Sequence, residues 1–199
     1  MSWLSPITLS DEIVKLVPLE LSHEKDLVEA AKDGELWNLW YTMVPKPEEM
    51  RSEIERRLSL QGSGSMIAFS VIEKASGKVV GMTTFMNIDA ANKRLEIGHT
   101  WNRKSVHGSG LNRRCKLLLL KHAFEELECI AVEFCTHFLN RQSRTAIEGL
   151  GAKLDGILRN HRLLPDGSLR DTCVFSIIQS EWPTVKNHLT YQVSRFQRS

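Results

Sequence analysis

The stretch His107-Gly108-Ser109-Gly110-Leu111-Asn112 decides how this chain is read. Before it runs Arg94-Leu95-Glu96-Ile97-Gly98-His99-Thr100-Trp101, which has the composition of a strand. After it, residues 113–126 have the composition of a helix. A strand, a glycine-bearing turn and a helix in that order build an anion site. The turn lets main-chain N–H groups converge, and the helix start adds unpaired donors and a partial positive charge. A pyrophosphate-bearing ligand is the natural guest, so the segment predicts an enzyme that uses a nucleotide cofactor rather than a plain scaffold.

Working outward, three strands lead into this turn. Residues 66–73 (MIAFSVIE) meet the turn signal Lys74-Ala75-Ser76-Gly77, residues 78–88 return, and Asp89-Ala90-Ala91-Asn92 passes the chain to the strand around Glu96. Further upstream, residues 12–19 read as a first strand. Ser22 is an N-cap candidate for a helix to about Lys32, and Met50, Ile54 and Leu58 mark an amphipathic helix over residues 48–61. Downstream, residues 129–136 form an apolar run of strand length, and Asn140 opens a helix that Gly151 closes. Residues 153–162 and 171–178 are strands joined by Leu164-Pro165-Asp166-Gly167. A helix starts near Trp182-Pro183, and the tail from Tyr191 to Ser199 is expected to fray.

Bulk properties narrow the function. The chain has 199 residues, 42% hydrophobic and 25% charged, with 26 Lys and Arg against 24 Asp and Glu. This suits one domain, residues 1–199, and so small a positive excess disfavours a dedicated nucleic-acid binder. Arg103, Lys104, Arg113, Arg114 and Lys116 remain a candidate basic patch, either a solvated helix start or a phosphate socket. Cys115, Cys129, Cys135 and Cys173 contain no C-x-x-C pair, and Cys129 and Cys135 read as small buried hydrophobes. No apolar run reaches membrane-spanning length, so a reduced cytoplasmic setting is the default expectation.

The turn, together with the block Asn140-Arg141-Gln142-Ser143-Arg144-Thr145-Ala146-Ile147-Glu148-Gly149-Leu150-Gly151-Ala152, carries a resemblance. In this order and spacing the chain resembles the GCN5-related N-acetyltransferase superfamily, and within it the RimJ/RimL-like ribosomal-protein branch, over residues 12–185. The resemblance implies an α/β (α+β) fold, with a mixed, mostly antiparallel sheet splayed at its centre and flanking helices. Acetyl-CoA would enter the gap between the strand at residues 96–101 and the strand at residues 129–136. Its pantetheine arm would pair with backbone near His99 and Trp101 and touch Asn140. Its pyrophosphate would sit on the amides of Gly108, Ser109, Gly110 and Asn112, with His107 and Arg113 near. Two places depart from the family's turn: His107 stands where Gln or Arg is usual, and Asn112 where Gly or Ala is usual. The family also implies a primary-amine acceptor, a protein N-terminus or a small amine, and leaves room for a homodimer.

Transfer of an acetyl group to an amine needs a proton acceptor for the amine, a donor for the carbonyl oxygen and a proton for the thiolate, and no metal. Glu96 is the first candidate base; otherwise it is a surface carboxylate pairing with Arg94. Asp155 is the runner-up. Ser143 is the implied proton donor to sulfur, while Asn140 serves at minimum as a helix N-cap. Plain alternation groups His99 with Leu95 and Trp101 on one strand face. His137 reads as a packed histidine, and of Trp37 and Trp40 one is core and the other lines the cleft beside Tyr41. The alternative from another class is a non-catalytic CoA-binding sensor on the same fold.

Overall fold

A computed structural model describes residues 3–195. Eight strands form one sheet: β1 (Leu9–Ser10), β2 (Val14–Pro18), β3 (Met66–Glu73), β4 (Lys78–Asp89), β5 (Arg94–Asn102), β6 (Ala131–His137), β7 (Lys153–Leu163) and β8 (Leu169–Ile178). Their spatial order is β1-β2-β3-β4-β5-β6-β8-β7, antiparallel throughout except for β5 against β6. The helices are α1 (Glu24–Lys32), α2 (Met50–Gly62), α3 (Leu111–Lys121), α4 (Arg141–Glu148) and α5 (Trp182–Arg195). Among the described residues no helix is long and apolar enough to cross a membrane.

Two cores sit on opposite faces of the sheet. On one face Leu95, Ile97 and Phe85 pack with Leu111, Cys115 and Leu119 of α3 and with Leu189 of α5. On the other, Met82 and Trp101 pack with Leu27 and Ala31 of α1 and Ile54 of α2. Strand β5 thus contributes Leu95 and Ile97 to one face and Trp101 to the other, which corrects the simple alternation. The cause is a bulge: Met82 pairs with Trp101 but Thr84 pairs with Gly98, so His99 and Thr100 together oppose one residue. An extra residue reverses the facing of everything beyond it. His99 takes the strain at a φ of +45°.

The parallel pairing of β5 with β6 is short. It joins Arg94 to Ala131, Leu95 to Val132 and Glu96 to Glu133, and then stops. Beyond that point β5 stays with β4 and β6 stays with β8, whose pairing runs on to His137 and Thr172. The sheet is parted at its centre, as the resemblance implies.

Most elements fall where the sequence places them, with local corrections. Strand β1 was not anticipated; two residues carry too little pattern. Ser22 lies inside a 3-10 turn (Leu21–His23) and its Oγ donates to Glu20, so α1 begins after it without a side-chain cap. The helix after the glycine turn ends at Lys121 and passes into a π-turn, His122–Glu126. Tyr191–Arg195 continues α5 rather than fraying, and the rest of the expected frayed tail lies outside the described residues. Arg114 is buried and bonds Asp11 and Glu12, Lys116 is buried, and Arg103 pairs with Asp33. The five basic residues therefore do not form one surface patch.

Arg57 of α2, 1% exposed, anchors the bulge. Its Nε donates to Glu53 at 2.7 Å, and Nη1 and Nη2 reach the His99 carbonyl at 3.4 and 3.5 Å. Replacement by Leu leaves Glu53 and a strained carbonyl without this donor. Arg57→Leu is expected to cost about 3 kcal/mol, read as a lower urea midpoint at unchanged slope. A midpoint equal to the parent's would remove Arg57 from this role.

Candidate active site

The gap between β5 and β6 opens into a cavity of about 510 Å³. One end is the glycine turn. Gly108 and Gly110 have φ of +77° and +83°, values that suit glycine, and Gly110 is the residue from which α3 springs. A Cβ at Gly108 would meet no protein atom within 4 Å, so its backbone faces open space. Gly108, Gly110, Asn112 and Arg113 line the cavity, which puts the first turn of α3, whose leading N–H groups lack helical acceptors, at its wall.

Two residues of the turn serve the loop itself. Ser109 donates its Oγ to the Val106 carbonyl at 2.7 Å and accepts from the Leu111 N–H; it is not on the cavity wall, and its own N–H points to Val106. His107 is on the wall, but its Nε2 lies 2.8 Å from the Asn102 carbonyl. A carbonyl only accepts, so Nε2 carries the proton there, and in the neutral ring Nδ1 is an acceptor. In that form His107 braces the turn rather than donating to an anion.

The middle of the cavity is the bulge. His99 and Trp101 line it, and so do Asn140 and Ser143 across the gap. Asn140 caps α4, its Oδ1 accepting the Ser143 N–H at 3.0 Å, which fixes Ser143 in the first turn. Burial, reinforced by Arg57 and Arg56, pushes the His99 imidazole down to about 4, so it is neutral at neutral pH. From the α3 face, Lys116 reaches Thr100 Oγ1 at 2.5 Å and Thr83 Oγ1 at 3.3 Å, and burial lowers it to about 8. The indole Nε1 of Trp101 is buried and lacks a partner among the described residues.

At the far end stands Glu96, 5% exposed. Its Oε2 accepts from Asn87 Nδ2 at 2.7 Å. Asn87 sits at a second irregularity, between Met86 and Asp89 of β4, with a φ of +47°. Burial raises the Glu96 proton affinity; the Asn87 hydrogen bond opposes this and the Glu133 charge adds to it. Arg94, the alternative partner, is taken by Glu133. Gly98 gives Glu96 room: a Cβ there would lie 2.7 Å from Met86 Sδ and 3.0 Å from Glu96 Oε1.

Among the lining residues Glu96 is the sole carboxylate, against Arg113, Lys116, Arg162 and Arg170. Such a cavity favours an anionic ligand and keeps one proton acceptor. Asp155 is exposed on β7 and away from the cavity. Cys135 is half-buried on the wall, not core, and burial with the nearby Glu96 charge pushes its thiol up to about 12. Trp37 packs on the α1/α2 core. Trp40 is 55% exposed and meets the His137 ring edge-on at 5.1 Å but is not on the cavity wall; of Trp37, Trp40 and Tyr41 it is Tyr41 that lines the cleft. The sequence carries no signal for Asn87, Arg57, Arg162 or Arg170 at the site; Lys116 enters it only as one of five basic residues of a candidate phosphate socket, and the structure instead buries it against Thr100 and Thr83.

Comparison with known proteins agrees with this geometry. The acetyltransferase (GNAT) domain family matches residues 14–153. A GCN5-related N-acetyltransferase from Brucella melitensis superposes with a TM-score of 0.83 at 30% identity, over 96% of this chain and 86% of that one. YdaF of Bacillus subtilis, named a candidate ribosomal N-acetyltransferase, is 33% identical over 106 residues, 53% of this chain and 57% of its own length. The p20 protein of Bacillus licheniformis, named an uncharacterised N-acetyltransferase, is 28% identical over 179 residues, 88% of this chain and 98% of its own. A sheet parted beyond Glu96, a glycine turn at the head of α3 and the family match over residues 14–153 converge: the chain belongs to the GNAT family of acetyltransferases and is similar to a member named a candidate ribosomal N-acetyltransferase.

Proposed function

We propose that this protein moves an acetyl group from acetyl-CoA to a primary amine, a protein N-terminus or a small amine, by direct attack. The observation that carries this reading is the composition of one cavity. Amide donors and Arg113 stand at the turn, Trp101 lines the middle, and a single buried carboxylate stands at the far end. These groups fit acetyl-CoA. Gly108, Gly110, Asn112 and Arg113 would hold its phosphates, and the β5 edge left unpaired beyond Glu96 would take its amide-bearing arm.

When bound, acetyl-CoA supplies a thioester carbonyl already activated toward amines. Glu96 accepts the proton of the acceptor amine, directly or through a water. Its buried position holds it closer to neutral pH than an ordinary carboxylate, which improves the match to that task. Ser143 Oγ, held at the start of α4, is the proton donor to the departing sulfur. His99 is uncharged at neutral pH and leaves the carboxylate unpaired by a cation at that point. A CoA sensor without turnover is the reading that the absence of thiol release would favour.

Three outcomes test this. Glu96→Gln should lower kcat by about 100-fold or more, with CoA affinity by calorimetry within twofold of the parent; an unchanged rate removes Glu96 as base. In the parent, kcat/KM should fall as pH drops through the raised Glu96 value, because the base must be ionised. Asn87→Ala removes a hydrogen bond that favours the carboxylate, so the fall should move to higher pH; a shift the other way, or none, counts against the assignment. Gly108→Asp places a side chain and a negative charge in the turn and should weaken CoA binding at least about tenfold, on the order of 1.4 kcal/mol, while the melting temperature falls by only about 2–4 °C, the cost of a non-glycine residue at that φ. Undiminished CoA binding would take the turn out of the site.

A further inference from the structure

The wall beyond Glu96 carries groups that the transfer chemistry does not use. Residues directly opposite one another in a sheet project to the same face. Glu96 is opposite Glu133, and along β6 that face continues through Cys135 to His137. His137 is opposite Thr172, and two residues back on β8 stands Arg170, itself opposite Arg162 of β7. Glu96, Cys135, His137, Arg170 and Arg162 all line the cavity.

Two like charges face each other here. Arg162 and Arg170 are direct cross-strand partners, an arrangement that is unfavourable unless something anionic offsets it. Among the described residues neither guanidinium takes part in an ion pair; Arg170 Nε donates to Thr172 Oγ1 at 3.1 Å. Glu96 is the carboxylate within electrostatic reach of both arginines, but it forms no ion pair with either, and its Oε2 takes the Asn87 amide. Beside them His137 is 5% exposed. Its Nδ1 accepts the Leu139 N–H at 3.0 Å, so the proton of the neutral ring is on Nε2, and that buried Nε2 has no partner among the described residues. Two guanidinium groups and one imidazole N–H therefore stand on one wall, and among the described residues Thr172 Oγ1 is the one side-chain acceptor bonded to them.

Resting on the transferase reading above, we propose that Arg162, Arg170 and His137 form an anion subsite for the acceptor. The acceptor is then an amine whose molecule also bears a carboxylate or a phosphate, held so that its amino group lies toward Glu96. The subsite excludes polyamines and other purely cationic amines, which would meet two guanidinium groups. It also explains why the acceptor end of a cavity built around a proton acceptor is lined by arginine.

Matched acceptor pairs test this through thiol release from acetyl-CoA. One pair is Ala-Asp against Ala-Asn at the start of an otherwise identical amidated peptide; the other is O-phosphoethanolamine against ethanolamine. The charged member of at least one pair should have a kcat/KM higher by about tenfold or more, carried mainly by KM, and the pair that responds identifies the anion. Arg162→Glu, at an exposed position, should reverse the preference, and the Arg162→Gln, Arg170→Gln double variant should bring the ratio to about one. Equal kcat/KM within both pairs in the parent, with thiol released, overturns the subsite and leaves the transferase standing. No thiol release with any acceptor, although CoA binds, overturns the transferase reading and the subsite with it.

Discussion

The organising constraint of this molecule is the early end of one strand pairing. Strands β5 and β6 share hydrogen bonds only as far as Glu96 and Glu133, while their other neighbours continue to hold them. An unpaired strand edge inside a protein is costly unless something fills it. Here it faces a cavity wide enough for a ligand that can pair with backbone. The residues of the candidate site are arranged along that opening: the turn at one end, the bulge in the middle, the carboxylate at the other. The three-residue pairing also fixes where the opening begins, which places Glu96 at its inner corner.

The bulge is the second device, and it depends on contacts far away in sequence. His99 occupies a conformation that a non-glycine residue adopts at some cost, and such strain persists only when the surroundings over-determine it. Arg57 does this from α2, holding the His99 carbonyl from one face. Lys116 does it from α3, bonding Thr100 and Thr83 from the other. The bulge is gripped from both sides by buried cations that hydrogen-bond neutral oxygens, so the positions of β5 groups facing the opening are set by both cores at once.

The legibility of this arrangement in the sequence follows the range of each signal. The glycine turn, the helix after it and the cap at Asn140 are local, set by residues within a few positions, and they were read correctly. Strands β3 and β4 were equally plain, because alternating or continuous apolar runs between turn signals declare themselves. Glu96 could be named, but not its face, since the bulge that decides the face depends on Thr83 and Arg57, not on neighbours in the chain. The resemblance puts His107 and the Ser109 amide beside the ligand, yet His107 Nε2 bonds the Asn102 carbonyl and the Ser109 N–H points to Val106. Asn87 was invisible because only a positive φ in β4 turns it toward Glu96. Arg162 and Arg170 lie either side of a turn, and their convergence comes from a register that carries irregularities of its own.

The charge arrangement gives the opening a direction. Arg113 and the head of α3 stand at the turn, Lys116 behind the bulge, and Arg162 with Arg170 beyond Glu96, so the one carboxylate is flanked by positive potential on both sides. Such flanking would ordinarily hold a carboxylate ionised and weakly basic. Burial opposes it, and so does Glu133, while Arg162 and the Asn87 hydrogen bond pull the other way. The balance leaves Glu96 more basic than a solvated carboxylate without making it neutral by isolation. A proton acceptor with that balance suits an amine that arrives protonated. On the proposed reading the ammonium would be drawn toward the carboxylate, the charges beyond it would hold the rest of an anionic molecule, and the amine would be deprotonated only where the opening brings it beside β5.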